Sequence, residues 1–282
     1  MTTDTHTTMA SKRLLALYAH PDDEALCGGT LSRYAEAGGE VRLICATRGE
    51  LGEISDPALA TVETLPQVRE QELRTAAEIM GISPPEFLDY RDSGMAGWEQ
   101  NNDPRAYVQQ PDDVVVARLA TTLREFQPQA IVTFDPTGGY GHPDHLAIHK
   151  HAHAAVTLAA DAHADLAGDP WRVSAIWYGV FPRSFFLKFR ERLVEIGADT
   201  SELDRFEEMG LGFRDEDVSR VIDVSDRMDL KFAATYAHRT QFGGDDFFMR
   251  AGEEYMREAM SREYFALGYQ APGVELPEGE LL

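Results

Sequence analysis

The chain has 282 residues, 43% hydrophobic and 26% charged, enough for one large α/β domain that needs no disulfide or metal staple to hold its core. Its 26 Lys and Arg stand against 48 Asp and Glu, a net charge of −22. A surface of that sign repels phosphate backbones and anionic lipid, which excludes nucleic acid and membrane as default partners.

The first segment, up to about Ser11, is polar and has no apolar signal core, and residues 1–11 read as a disordered leader. RLLALYAH (Arg13–His20) is a short apolar run suited to a buried parallel strand. PDDE and Gly28-Gly29 follow, then a helix from Thr30 to Ala37 closed by Gly38-Gly39. VRLICA (Val41–Ala46) is the next strand, and the polar stretch TRGELGEISDP leaves it. Pro66 suits the first turn of a helix whose apolar residues recur at helical spacing from Val68 to Met80, ended by Gly81. Phe87–Tyr90 is a short strand candidate, Asp112–Phe126 a helix with an acidic start, and Ala130–Phe134 a strand. DPTGGYGHPDH leads from that strand into a His- and Ala-rich helix beginning near Pro143, and Val173–Tyr178 is a further strand.

Beyond Phe181 the pattern weakens into an aromatic and charged stretch with the character of a lid or a substrate-facing insertion. Val221–Val224 reads as a late strand, and Asp226–Gln241 and Glu253–Leu267 as helices. The alternation predicts an α/β fold: a Rossmann-like, mostly parallel sheet with helices on both faces, plus a C-terminal α/β elaboration. Residues 12–180 form the expected catalytic core and 181–282 the elaboration that shapes the cleft, within one domain overall. Cys27 and Cys45 form no CxxC pair and read as small buried hydrophobes. Two thiols in a chain of this length point to a reducing, cytoplasmic compartment.

The two most unusual loops, HPDDE and GYGHPDH, both leave the C-terminal ends of apolar strands, where sites form in open α/β sheets. His20 and Asp23 lie three apart with a proline between them, and so do His142 and His145. A lone HxxD is more often a cap or a solvated turn than a ligand pair. Two proline-stiffened turns are different: together they can supply two imidazoles and a carboxylate, a common catalytic zinc set with an open position for water. Of the adjacent Asp22 and Asp23, one can bind metal while the other takes a proton from the water. The other histidines are read more plainly. His149 is a candidate to support the metal site from behind, and His151 and His153 are expected to be exposed.

AHPDDE (Ala19–Glu24) and GHPDH (Gly141–His145) resemble the paired motifs of the LmbE-like, or PIG-L, de-N-acetylase superfamily. TRGELGE (Thr47–Glu53), VREQEL (Val68–Leu73), YRDSGMAG (Tyr90–Gly97) and DPTGGYGHPDH (Asp135–His145) are similar to its actinobacterial branch, which holds a mycothiol-biosynthesis deacetylase and a mycothiol S-conjugate amidase. The resemblance implies that His20, Asp23 and His145 bind Zn2+, with Fe2+ an alternative ion. It implies Asp22 as general base, His142 as the group that steadies the intermediate or protonates the amine, and Tyr140 as a mobile oxyanion donor. Arg69 and Asp92 match residues that hold the sugar or its aglycone, and His238 with Gln241 echoes a family pattern that implies a place lining the cleft. The implied function is removal of the N-acetyl group from a small N-acetylglucosaminyl substrate, of GlcNAc-inositol or GlcNAc-malate type. The position where the amidase carries a lysine is Cys27 here, which weighs against that alternative. A non-hydrolytic nucleotide-sugar-binding protein on the same sheet is the alternative from another class, and a homo-oligomer is compatible with the sequence.

Overall fold

In a computed structural model, residues 12–208, 210–243 and 247–282 are described, so the expected leader at 1–11 lies outside the described residues. Seven strands form one sheet in the order β3-β2-β1-β4-β5-β7-β6. β1 (Arg13–Tyr18), β2 (Glu40–Cys45), β3 (Glu86–Phe87), β4 (Ala130–Thr133) and β5 (Ala175–Val180) run parallel. β6 (Arg220–Asp223) and β7 (Arg262–Gln270) complete the edge in antiparallel fashion. β4 and β5 are buried along their whole length and β1 is buried after its first residue, as expected of strands covered by helices on both faces.

The covering helices are α1 (Gly28–Glu36), α2 (Leu65–Met80), α3 (Asp112–Phe126) and α4 (Pro143–Ala160). α3 packs on α4, while α1 and α2 pack with α7 (Met228–Thr235). β1 is flanked by β2 on one side and by β4 on the other, so the chain winds outward in both directions from this pair. A crevice opens beyond the carboxyl ends of strands at such a reversal. The HPDDE loop follows β1 and the DPTGGYGHPDH loop follows β4, so strand pairing alone brings the two loops together.

The C-terminal third differs most from the sequence expectation. The stretch after Phe181 forms α5 (Arg183–Glu195) and α6 (Ser201–Glu208). The helix expected over Asp226–Gln241 is shorter, a 3-10 turn followed by α7, and the one expected over Glu253–Leu267 stops after α8 (Glu253–Ala259). Residues 262–270 are instead β7, seated between β5 and β6. The helical spacing of their apolar residues loses to the unpaired edge of β5, whose ladder only an extended partner can satisfy. Gly268 is the extra residue of a bulge, because Ile176 pairs with Tyr269 and Trp177 with Leu267. A Cβ there would overlap the Tyr178 ring. The sheet therefore runs without a break across residue 180. No helix among the described residues is long and apolar enough to cross a membrane.

β7 also fixes the start of α1. Glu263 accepts from the backbone N–H of Gly29 at 2.9 Å and of Thr30 at 2.8 Å, an anionic cap on the helix that follows HPDDE. Lys231 of α7 pairs with Glu263 at 2.8 Å and donates to the Met260 carbonyl, and both charged side chains are buried. Breaking a buried pair from one side strands the other charge. Lys231→Met should therefore cost ~3–5 kcal/mol in chemical denaturation, and Lys231→Met/Glu263→Gln should recover part of it. Wild-type stability in the single variant would show that the pair does not hold α1 in place.

Candidate active site and metal centre

The hydrogen bonds around each imidazole decide which nitrogen is free. His145 Nδ1 lies 3.0 Å from the Gly138 carbonyl oxygen, which only an N–H can satisfy, so Nε2 keeps its lone pair. His20 Nε2 lies 3.3 Å from Asp144 Oδ2 and 3.7 Å from Asp92 Oδ1, which places its proton there and leaves Nδ1 free. The two free nitrogens face each other at 3.1 Å. Asp23 completes the group, with Oδ2 3.7 Å from His20 Nδ1 and Oδ1 3.5 Å from His145 Nε2. Asp23 Oδ2 is itself steadied by the N–H groups of Ala19 and His20.

With His20 neutral, three acceptors converge with no donor between them. Burial lowers the basicity of His20, but the carboxylates of Asp92, Asp144 and Asp23 hold its pKa well above that of a free imidazole. A proton relieves the crowding for one pair only, whereas a divalent cation takes a lone pair from each of the three groups at once. The chemistry of the donor set therefore fits a metal ion. The possible ligand atoms of His20, His142 and His145 also lie within 4.8 Å of one another, as do those of His20, Asp92, His142 and Asp144. His142, however, accepts the Asp144 N–H at Nδ1 (3.2 Å), so its proton sits on Nε2, and in this tautomer it is a donor beside the ligands. Burial, with the neighbouring His20 and His145, pushes His142 down to about 3 and keeps it neutral.

Asp22 sits at φ 108°, in the left-handed region that a residue with a side chain enters only when held there. Two contacts hold it. Its N–H donates to Glu24 Oε2 at 3.0 Å, and Glu24 Oε1 bonds His238 Nε2 at 2.6 Å. Its Oδ2 accepts from Arg69 Nη2 at 3.0 Å, and the same guanidinium donates to the Pro21 and Gly49 carbonyls. A Cβ on Gly49 or Gly52 would overlap Arg69 Nη1, which explains both glycines of TRGELGE. Burial raises the Asp22 pKa, the Arg69 charge opposes this, and Asp23 adds to it.

His20, Asp22, Asp23, His142 and His145 thus meet at one point. Tyr140 projects over it: the residue is 42% exposed and its ring centroid lies 5.0 Å from that of His145 and 6.1 Å from that of His142. Gly138 in the same loop has φ 62°, and a Cβ there would meet the His145 Cβ at 2.8 Å.

Arg69 and Asp92, expected at the sugar, both stand next to the ligand group, beside Asp22 and His20. Each is 3% exposed; Arg69 is locked under Asp22, and Asp92 lies behind His20, accepting from the N–H groups of Leu51 and Gly94. His238 does not line the cleft but is fully buried against Glu24. His151 is not exposed: it is buried between the Tyr107 hydroxyl at 2.8 Å and Asp112 at 2.9 Å. His153 is half-buried and bonded to the Tyr178 hydroxyl, and His149 bonds the Phe134 carbonyl. Cys27 packs in the core with its Sγ 3.2 Å from the Tyr18 hydroxyl. Asp144 was missed as a partner of His20, although a carboxylate directly before His145 in the GHPDH turn was the available signal.

A cavity of about 480 Å³ opens from Asp22, Asp23, Tyr140 and His145 into the C-terminal part of the chain.

Comparison with known proteins shows the family and the fold. A deacetylase from Geodermatophilus obscurus, named for 1D-myo-inositol 2-acetamido-2-deoxy-alpha-D-glucopyranoside, is 37% identical over 270 residues, covering 91% of this chain and 92% of its own. The N,N'-diacetylchitobiose deacetylase of Pyrococcus horikoshii shares the fold at a TM-score of 0.63 and 23% identity, over 94% of this chain and 87% of its own. So does the 4-carboxy-2-hydroxymuconate hydratase of Pseudomonas putida, at a TM-score of 0.60 and 19% identity, over 94% of this chain and all of its own. The GlcNAc-PI de-N-acetylase family profile, PIG-L, matches residues 15–156, the span that carries both histidine turns, and the chain belongs to that family.

Proposed function

We propose that the chain is a zinc-dependent hydrolase that removes the N-acetyl group from a GlcNAc-inositol substrate. The observation that carries the reading is the convergence of the free lone pairs of His20, His145 and Asp23 beside an immobilised Asp22. The substrate class follows the name of the Geodermatophilus relative, which is alike over nearly the full length of both chains. A set of two imidazoles and one carboxylate suits zinc and also accommodates ferrous iron, and zinc is the ion proposed.

Held by His20, Asp23 and His145, zinc would supply Lewis acidity to the acetamide carbonyl and lower the pKa of an attacking water. The chain's own groups do the rest. Asp22 accepts a proton from the water; Arg69 engages its Oδ2 and leaves Oδ1 for this task. The Tyr140 hydroxyl and His142 Nε2–H are donors placed to meet negative charge as it develops on the carbonyl oxygen. As the C–N bond breaks, the departing nitrogen takes the proton that Asp22 received from the water, giving acetate and a free amine. Arg69 and Asp92 act as positioning residues in this scheme. Arg69 sets the direction of Asp22, and Asp92 with Asp144 sets the tautomer of His20.

Three outcomes are expected. Purified chain should carry about one divalent ion by elemental analysis, and His20→Ala or His145→Ala should lose both ion and acetate release, as expected for ligands of one open site. Asp22→Asn should keep the ion and lose ~10²–10⁴-fold in kcat, the usual range for a general base. Gly49→Ala should displace the Arg69 guanidinium, destabilise the fold by at least ~1 kcal/mol because φ is +63°, and lower kcat while the ion stays bound. Full turnover in a preparation stripped of metal would overturn the proposal.

A further inference from the structure

The cavity beside the proposed zinc ligands is far larger than an acetyl group requires, and its character changes along its length. Asp22, Asp23, Tyr140 and His145 form the polar end. Away from them the walls include Phe181, Phe185, Phe186, Phe213, Phe232 and Met256. Phe181, Phe185 and Phe186 form one cluster, with ring centroids 4.7 to 5.9 Å apart. The walls come from different elements: the end of β5 with α5, then α7 and α8. A concave apolar chamber with a few polar groups at one end is the form of a small-molecule site for an amphipathic ligand.

A sugar or an inositol does not match the apolar lobe. Its hydroxyls would lie mostly against phenyl rings and thioethers, with Asp135, Thr235 and Tyr236 the few other lining side chains able to pair them, and each unpaired hydroxyl counts against binding. With a polyol aglycone, the only part of a glucosaminyl amide that can be apolar is the acyl chain. The acyl carbon must sit at the polar end for reaction, which points its tail into the lobe.

We infer that the enzyme hydrolyses N-acyl glucosaminides with acyl chains longer than acetyl, the chain lying among Phe181, Phe185, Phe186 and Met256. This rests on the amide-hydrolase reading above. The chemistry is unchanged: water oxygen bonds to the acyl carbon, the C–N bond breaks, the nitrogen takes a proton, and the products are a medium-chain carboxylate and the same amine.

The test compares N-acetyl, N-butyryl, N-hexanoyl and N-octanoyl glucosaminides of one aglycone on the zinc-loaded enzyme. Each fully buried methylene is worth roughly 4-fold, so kcat/KM should rise by about 10-fold or more from acetyl to hexanoyl. Phe181→Ser and Phe186→Ser, made separately, should each cut the hexanoyl-to-acetyl ratio several-fold, a ratio that loss of folded protein does not move. Calorimetry on the metal-free chain should show N-hexanoylglucosamine binding more tightly than N-acetylglucosamine. A flat or falling series with acetate release intact would overturn the inference and leave the deacetylase reading standing. So would a gain seen only with an octyl glycoside of N-acetylglucosamine, which would place the apolar group on the aglycone. No hydrolysis of any amide would remove the deacetylase reading, and the calorimetric preference would then decide whether the lobe still selects an acyl chain.

Discussion

Two nitrogen lone pairs held 3.1 Å apart, with a carboxylate beside them, are unfavourable unless a cation lies among them. Most of the surrounding structure keeps them there. Gly138 offers its carbonyl to His145, Asp144 and Asp92 take the far side of His20, and backbone N–H groups hold Asp23 from below. Each contact removes a tautomer or rotamer that would turn a free electron pair away. The consequence is a donor set whose directions are fixed by the protein's own hydrogen bonds, so that its ordering is part of folding.

The supports reach well beyond the two motifs. Asp22 keeps a left-handed backbone because Glu24, backed by His238 from the chain's last third, holds its N–H. The Arg69 guanidinium fits under it only because positions 49 and 52 lack side chains. β7 supplies Glu263, which fixes the helix that starts four residues after Glu24. The C-terminal third is thus part of the framework on which the metal turns rest, as well as the source of the apolar walls of the cavity.

Much of this was legible in the sequence wherever spacing reports geometry. The parallel core followed from apolar runs alternating with helical periodicity, and Asp112–Phe126 matches the structure at both ends. HPDDE and GHPDH stood out because proline and histidine recur at one spacing after two strands. What stayed hidden depends on partners distant in sequence. Nothing near Arg262–Gln270 announces that β5 needs an antiparallel neighbour, so a helical pattern there was misleading. His151 looked like a surface histidine because its partners, Tyr107 and Asp112, lie about forty residues earlier. Arg69 and Asp92 were legible as belonging to the site, but which neighbours they bond, Asp22 and His20, is set by folding and not by residue type.

The same fold carries a hydratase as well as deacetylases, so the sheet alone selects no reaction. The distinction must lie in what meets the ion and what surrounds the substrate. Here the polar end is acidic and crowded with carboxylates, four of them (Asp22, Asp23, Asp92 and Asp144) sharing a small volume with three imidazoles. So many negative groups are stable together only when cations are shared among them, and Arg69 supplies one such charge next to Asp22. A second, held by His20, Asp23 and His145, would leave Asp22 as the one carboxylate of the four that is both partly exposed and in reach of the cavity with an oxygen to spare. The charge balance of the site thus points to the same residue for proton transfer as the geometry of the turn does.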